Sequence, residues 1–144
     1  MVFTNISDEQ GDRANDLVIR SDGKIVVAGT STNGANSVVV LARYNTDDSL
    51  DTSFGDNGLV APPITETDAG RASGVALQTD GKIMVAQAQR LFVGTFTVSR
   101  YESDGSSDTT FGGTGSITTP IEDLAGAAAV AIQADSKLWL PEVL

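Results

Sequence analysis

Cysteine and histidine are absent from the 144 residues. Their absence removes disulfides, thiolate nucleophiles, Cys/His zinc sites and every His-dependent catalytic triad together. Any metal would have to be held by oxygen. Basic residues are scarce, nine against nineteen acidic, for a formal charge of −10. Such a surface repels phosphate backbones and anionic lipid and offers no basic patch for counterion release, so no nucleic-acid partner is expected. No apolar run approaches the roughly 18 to 20 residues of a membrane span, and no membrane insertion is expected. The opening MVFTNISDEQ has neither the basic n-region nor the apolar h-region of a secretory signal. Missing cysteines fit the cytosol and a bacterial surface alike, so they leave the compartment open.

What is present is ordinary for a folded chain: hydrophobic residues make up 40% and charged residues 19%, enough for one domain with a sizeable core. The distinctive feature is repetition. The stretch DGKIVVAG, residues 22–29, returns as DGKIMVAQ from Asp80 and, more loosely, as DSKLWLPE from Asp135. Around it, RANDLVIRSDGKIVVA (13–28) aligns with RASGVALQTDGKIMVA (71–86), and LARYNTDDSLDTSFGDNGLV (41–60) with VSRYESDGSSDTTFGGTGSI (98–117). The period is about 57 residues, in the range that marks solenoids, propellers or arrays. VFTNI (2–6) falls in register with VAPPI (60–64) and ITTPI (117–121). The chain therefore reads as one repeat domain over 1–144: an outer strand of an incomplete blade at 1–6, full repeats at 13–64 and 71–121, and a truncated third at 124–144.

Within a repeat, DLVIR, KIVVAGT, SVVVLARYN and GLVAPPI are short, rich in β-branched residues, and separated by Gly, Asn, Asp, Ser and Pro clusters, which predicts four strands. Asp22-Gly23 predicts a two-residue type I′ hairpin loop with φ above zero at both residues. KIVVAG hardly alternates, as expected of a strand covered on both faces. On the third strand, Val39 and Leu41 stay apolar as Phe96 and Val98, while Val38, Val40 and Ala42 become Thr95, Thr97 and Ser99. LAGAAAVAIQ (124–133) is alanine-rich, yet its register with RASGVALQ makes it a first strand. Four-stranded antiparallel units in tandem, each needing a neighbour to bury its faces, predict an all-β fold of β-propeller blades, between two and three per chain.

LVIRSDGKIVVAG together with LARYNTDDSLDTSFGDNGLV resembles the delta-60 repeat, a bacterial β-propeller repeat, and the likeness runs from about Val2 to Leu138. The resemblance implies a propeller, a surface or secreted location and no catalytic residue. The third copy departs from the pattern: Ser136 stands where Gly23 and Gly81 do, and no RYN segment follows. Open strand edges and apolar faces favour closure. The expected partner is a second or third copy of the chain, as a dimer or trimer, or the remainder of a larger propeller.

Candidate sites each stand beside a structural role. Asp47, Asp51, Asp104 and Asp108, in the loops NTDDSLD and ESDGSSD, are the only candidate Ca²⁺ ligands, against which Asx-type turns are the plainer reading. No other cofactor is expected. Arg43, Tyr44, Arg100 and Tyr101 could bind a sugar by stacking and hydrogen bonding, or each Arg could pair with Asp51 or Asp108 while Tyr caps the sheet. Phe54 and Phe111 are expected to plug the gap between blades, and Trp139 occupies the core strand position of Val26 and Met84. Arg90, Leu91, Phe92 and Val93, in the irregular segment 87–94, are the candidates for an extended hairpin or a subunit contact. Glycine clusters such as GDNG precede no helix, so phosphate cradling is not expected. These readings lead to a non-catalytic binding or structural module that completes its ring by self-association. A multivalent lectin with a glycan partner is the alternative, and a hydrolase using an Asp/Glu pair is the third.

Overall fold

The structure is a computed structural model that describes Thr4, Ile6 and residues 11–62, 70–89, 95–120, 131–132 and 138–139. Strands β1 (Arg13–Ile19), β2 (Ile25–Asn33), β3 (Asn36–Tyr44) and β4 (Leu59–Val60) form one antiparallel sheet in the order β1-β2-β3-β4. The second repeat reproduces it with β5 (Gly70–Leu77), β6 (Ile83–Gln89), β7 (Thr95–Tyr101) and β8 (Ser116–Pro120). Strands β9 (Ala131–Ile132) and β10 (Leu138–Trp139) pair as the beginning of a third sheet, with β9 beside β5. The fold is all-β, with blades of the propeller type. Among the described residues no helix is long and apolar enough to cross a membrane.

The hairpin turns differ from the type I′ expectation. Arg20 N–H donates to Lys24 O at 2.8 Å and Gly23 N–H to Arg20 O at 3.0 Å, so the loop is three residues, Ser21 to Gly23. Positive φ falls on Gly23 alone (83°) and not on Asp22. This is a type I turn closed by a glycine bulge. Its cause lies in Asp22, whose Oδ1 accepts the Lys24 backbone N–H at 3.1 Å and so holds Asp22 on the ordinary side of φ as an Asx turn. The second hairpin is built alike, from Gly81 (φ 87°), the Gly81 N–H to Gln78 O bond and the Lys82 N–H to Asp80 Oδ1 bond.

The core lies between the sheets. Val26, Ala28, Val39 and Leu41 of the first blade's trailing face meet Ala72, Val75, Ile83 and Val85 of the second blade's leading face, with Phe54 completing the cluster. Side-chain alternation puts each set on one face, and burying such a side chain contributes roughly 1.5–3 kcal/mol. Thr97 and Ser99, which replace Val40 and Ala42, lie opposite Gln87 and Val85 on that leading face and are buried. They remain satisfied by pairing outward along the sheet, Thr97 with Thr118 at 2.8 Å and Ser99 with Ser116 at 2.7 Å. This explains why that face tolerates polarity: each hydroxyl has its partner on the adjoining strand.

Candidate functional site

The repeated Arg, Asp and Lys residues converge at one end of the strands in each blade, where β2 or β6 begins and β3 or β7 closes. In the first, Arg43 Nε and Lys24 Nζ both donate to Asp51 Oδ2 at 2.6 Å, while Ser53 hydroxyl donates to Oδ1 at 2.7 Å. Arg43 and Asp51 are both buried. The hydrogen bonds from Lys24 and Ser53, with the Arg43 guanidinium, hold the Asp51 carboxyl well below the usual carboxylate range. The second blade repeats the cluster: Arg100 Nε at 2.6 Å and Lys82 Nζ at 2.8 Å on Asp108 Oδ2, Thr110 hydroxyl on Oδ1 at 2.5 Å. Lys82, Thr110 and Arg100 depress Asp108, and Asp108 with Glu102 raises Lys82 in return. A buried carboxylate with two cations and a hydroxyl has its lone pairs filled, which suits a fixed joint in the fold.

The first blade's cluster is also half of the seam. A second Arg43 nitrogen donates to the Ser103 carbonyl, and Gly55 N–H donates to the Asp104 carbonyl at 2.7 Å. The Arg43 guanidinium lies 4.5 Å from the centre of the Phe54 ring, which is fully buried. A Cβ added to Gly105 would stand 2.9 Å from Phe54 Cε2, so the absence of a side chain there lets the turn of the second blade close over the ring. Beside this joint runs an open groove of about 600 Å³ between Ser53, Gly55 and Val60 on one side and Asp104, Gly105 and Ser106 on the other.

The acidic loops form turns. Asp47 Oδ1 accepts the Ser49 N–H and hydroxyl, and Asp104 Oδ1 those of Ser106; these bonds lower both carboxyl pKa values. Among the described residues no group of three or more acidic side chains is gathered where it could hold a metal ion. Asp51 and Asp108 sit with their arginines, apart in role from Asp47 and Asp104. Tyr44 hydroxyl shares a hydrogen bond with the Thr4 hydroxyl at 2.5 Å, and burial raises the Tyr101 phenol. Thr4 and Ile6, from VFTNI, belong to no strand and line a hollow on the first blade's leading face with Val27, Val40, Ala42 and Tyr44. Arg90, Leu91, Phe92 and Val93 lie outside the described residues, as does the side chain of Trp139. The lysines went unassigned in the sequence reading, although their signal was there: Lys24 and Lys82 follow the Asp-Gly of both hairpins. The seam carbonyls of Ser103 and Asp104 had no side-chain signal at all.

Two meandering four-stranded sheets, packed face to face with one Arg-Asp-Lys cluster in each repeat, define consecutive blades of a β-propeller. Residues 20–54 and 78–111 match the model of a family described as a domain of unknown function (DUF5122) beta-propeller. Both matched segments run from the hairpin turn to the seam aromatic or its neighbourhood, the part of the repeat that carries the joint. No curated protein matches the chain, and no solved structure does.

Proposed function

We propose that the chain is a non-catalytic propeller module of the delta-60 kind that extends its blade array by head-to-tail self-association. One observation carries the reading: positions buried at the seam in one repeat are open in the other. Leu17 and Ile19, on the first blade's leading face, are 55% and 63% exposed, whereas their counterparts Val75 and Leu77 pack against the first blade. At the trailing end, the Arg100 side chain is 21% exposed against 7% for Arg43. Phe111 is half-buried, although its ring lies 4.6 Å from the Arg100 guanidinium just as Phe54 lies beside Arg43. Unlike Gly55 N–H, Gly112 N–H has no acceptor among the described residues. The first blade's leading face and the Arg100 and Phe111 corner of the second blade thus carry the two sides of the contact made at the first seam, which favours a heterologous, ring-forming contact.

The carbohydrate-binding alternative draws no support from the Arg-Tyr pairs, since Arg43 is buried and committed to Asp51, Ser53 and Ser103. Light scattering on the 144-residue chain tests self-association. A dimer or trimer is expected, and a monomer throughout the micromolar range contradicts it.

A further inference from the structure

The first blade's leading face has no blade before it among the described residues, yet part of it is covered. Val40 and Ala42 are 2% and 5% exposed, whereas Leu17 and Ile19 on the same face stand open. Thr4 and Ile6 lie over the covered part, lining one hollow with Ala14, Val27, Val40 and Ala42. Two hydrogen bonds hold them there. Thr4 hydroxyl shares one with the Tyr44 hydroxyl at 2.5 Å, and Ile6 N–H donates to Asp12 Oδ2 at 2.8 Å. Asp12 is itself fixed, since its Oδ1 accepts from the hydroxyl of buried Ser31 at 2.7 Å.

The repeat shows what belongs on this surface. Ala14, Val27 and Tyr44 are the counterparts of Ala72, Val85 and Tyr101. In the second blade, Ala72 and Val85 are core residues facing the first blade's trailing face, and Tyr101 packs against that core. Thr4 and Ile6 therefore stand on the surface that a preceding blade takes at the inner seam, and the two occupants exclude each other. The segment is the poorer fit. Ala72 and Val85 are 3% and 0% exposed, while Ala14 is exposed and Val27 only half-buried. A hollow of about 230 Å³ stays open between segment and sheet, and atoms lining such a gap lack dispersion partners on one side. Thr4 and Ile6 belong to no strand, so no ladder of backbone bonds secures them.

We propose that the segment carrying Thr4 and Ile6 is an internal cap, seated on the leading face of a single chain and displaced when the trailing face of a second copy docks. This rests on the head-to-tail association proposed above and adds its regulation. Only uncapped chains are competent to join, so the observed dissociation constant exceeds the intrinsic one by the reciprocal of the uncapped fraction. The cap thereby shields part of an apolar face in dilute chains, and it gives way to a better-packed partner as concentration rises.

Sedimentation equilibrium of the parent chain beside T4A/I6S, with amide hydrogen exchange at Ile6 of the parent, tests the proposal. Both substitutions lie on the segment and leave the face itself unchanged, so a gain in association reports uncovering. T4A/I6S should associate with a dissociation constant at least about fivefold lower than the parent's. The Ile6 amide should be protected in the monomer, where it donates to Asp12, and should lose that protection in the assembled parent. The cap is overturned, with self-association left standing, if T4A/I6S associates no more tightly than the parent or if Ile6 stays protected after assembly. If neither chain associates in the micromolar range, self-association itself fails and the cap's role fails with it.

Discussion

At the scale of single residues, the buried carboxylates Asp51 and Asp108 link stability to pH. Each has a folded pKa held below the usual range by its lysine, hydroxyl and arginine partners, while in the unfolded chain it titrates near about 3.9. A depressed folded pKa means that the unfolded state takes up protons first. The stabilisation is therefore fully present above about pH 5 and is lost as pH falls through the carboxylate range toward the depressed values. Urea midpoints should be flat from neutral pH to about 5 and drop below it, and the D51N/D108N variant should show a shallower acid limb. Removing one partner of a buried pair costs about 3–5 kcal/mol, so D51A should fall in that range by urea unfolding. D108A should cost less, because Arg100 and Lys82 keep access to water. The pairing of each arginine with the acid eight positions on was legible from two parallel copies of the motif. The different roles of Asp51 and Asp108 on one side and Asp47 and Asp104 on the other, grouped together as Ca²⁺ candidates, were not, because they depend on the reversal of chain direction between Tyr44 and Leu50, where an isolated bridge brings the segment back alongside β3.

At the scale of elements, strand content and order followed from β-branched runs broken by turn residues, but the turn type did not. Asp-Gly favours the two-residue loop when only φ preferences are weighed. Here Asp22 and Asp80 cap the next-but-one N–H and make the three-residue loop the better-bonded one. The same loop recurs after β3 and after β7, where Asp48 (φ 69°) and Gly105 (φ 92°) occupy matching positions. Since the left-handed position costs an L-residue about 1–2 kcal/mol, G81S, which copies the residue at Ser136 into an otherwise intact hairpin, should destabilise by that amount. A Cβ at Gly81 meets nothing closer than 3.7 Å, so the loss measured by thermal or urea unfolding reports backbone conformation and not a clash. Face assignments were also legible in part: Val39 and Leu41 are core residues as their alternation implied, whereas the hydroxyl ladder of Thr97 and Ser99 required knowing which strand lay outside them.

At the scale of the whole molecule, the described residues make one seam between the first two sheets, and positions buried in it are exposed in the other repeat, as at Leu17 and Ile19. Equivalent residues should therefore respond unequally. F54A removes a fully buried ring and should cost about 3–5 kcal/mol by urea unfolding, while F111A, at a half-buried position, should cost clearly less. The inequality was invisible in the sequence, where both residues sit in the same phrase, because burial depends on which neighbour is present. The apolar leading face supplies the sharpest test of self-association. Sedimentation equilibrium of the parent chain beside the L17E/I19E variant measures it directly: the parent should run as a whole-number multiple of the chain mass that dissociates on dilution, and the variant as a folded monomer. A monomeric parent across the micromolar range, or a variant that associates as the parent does, would contradict the account.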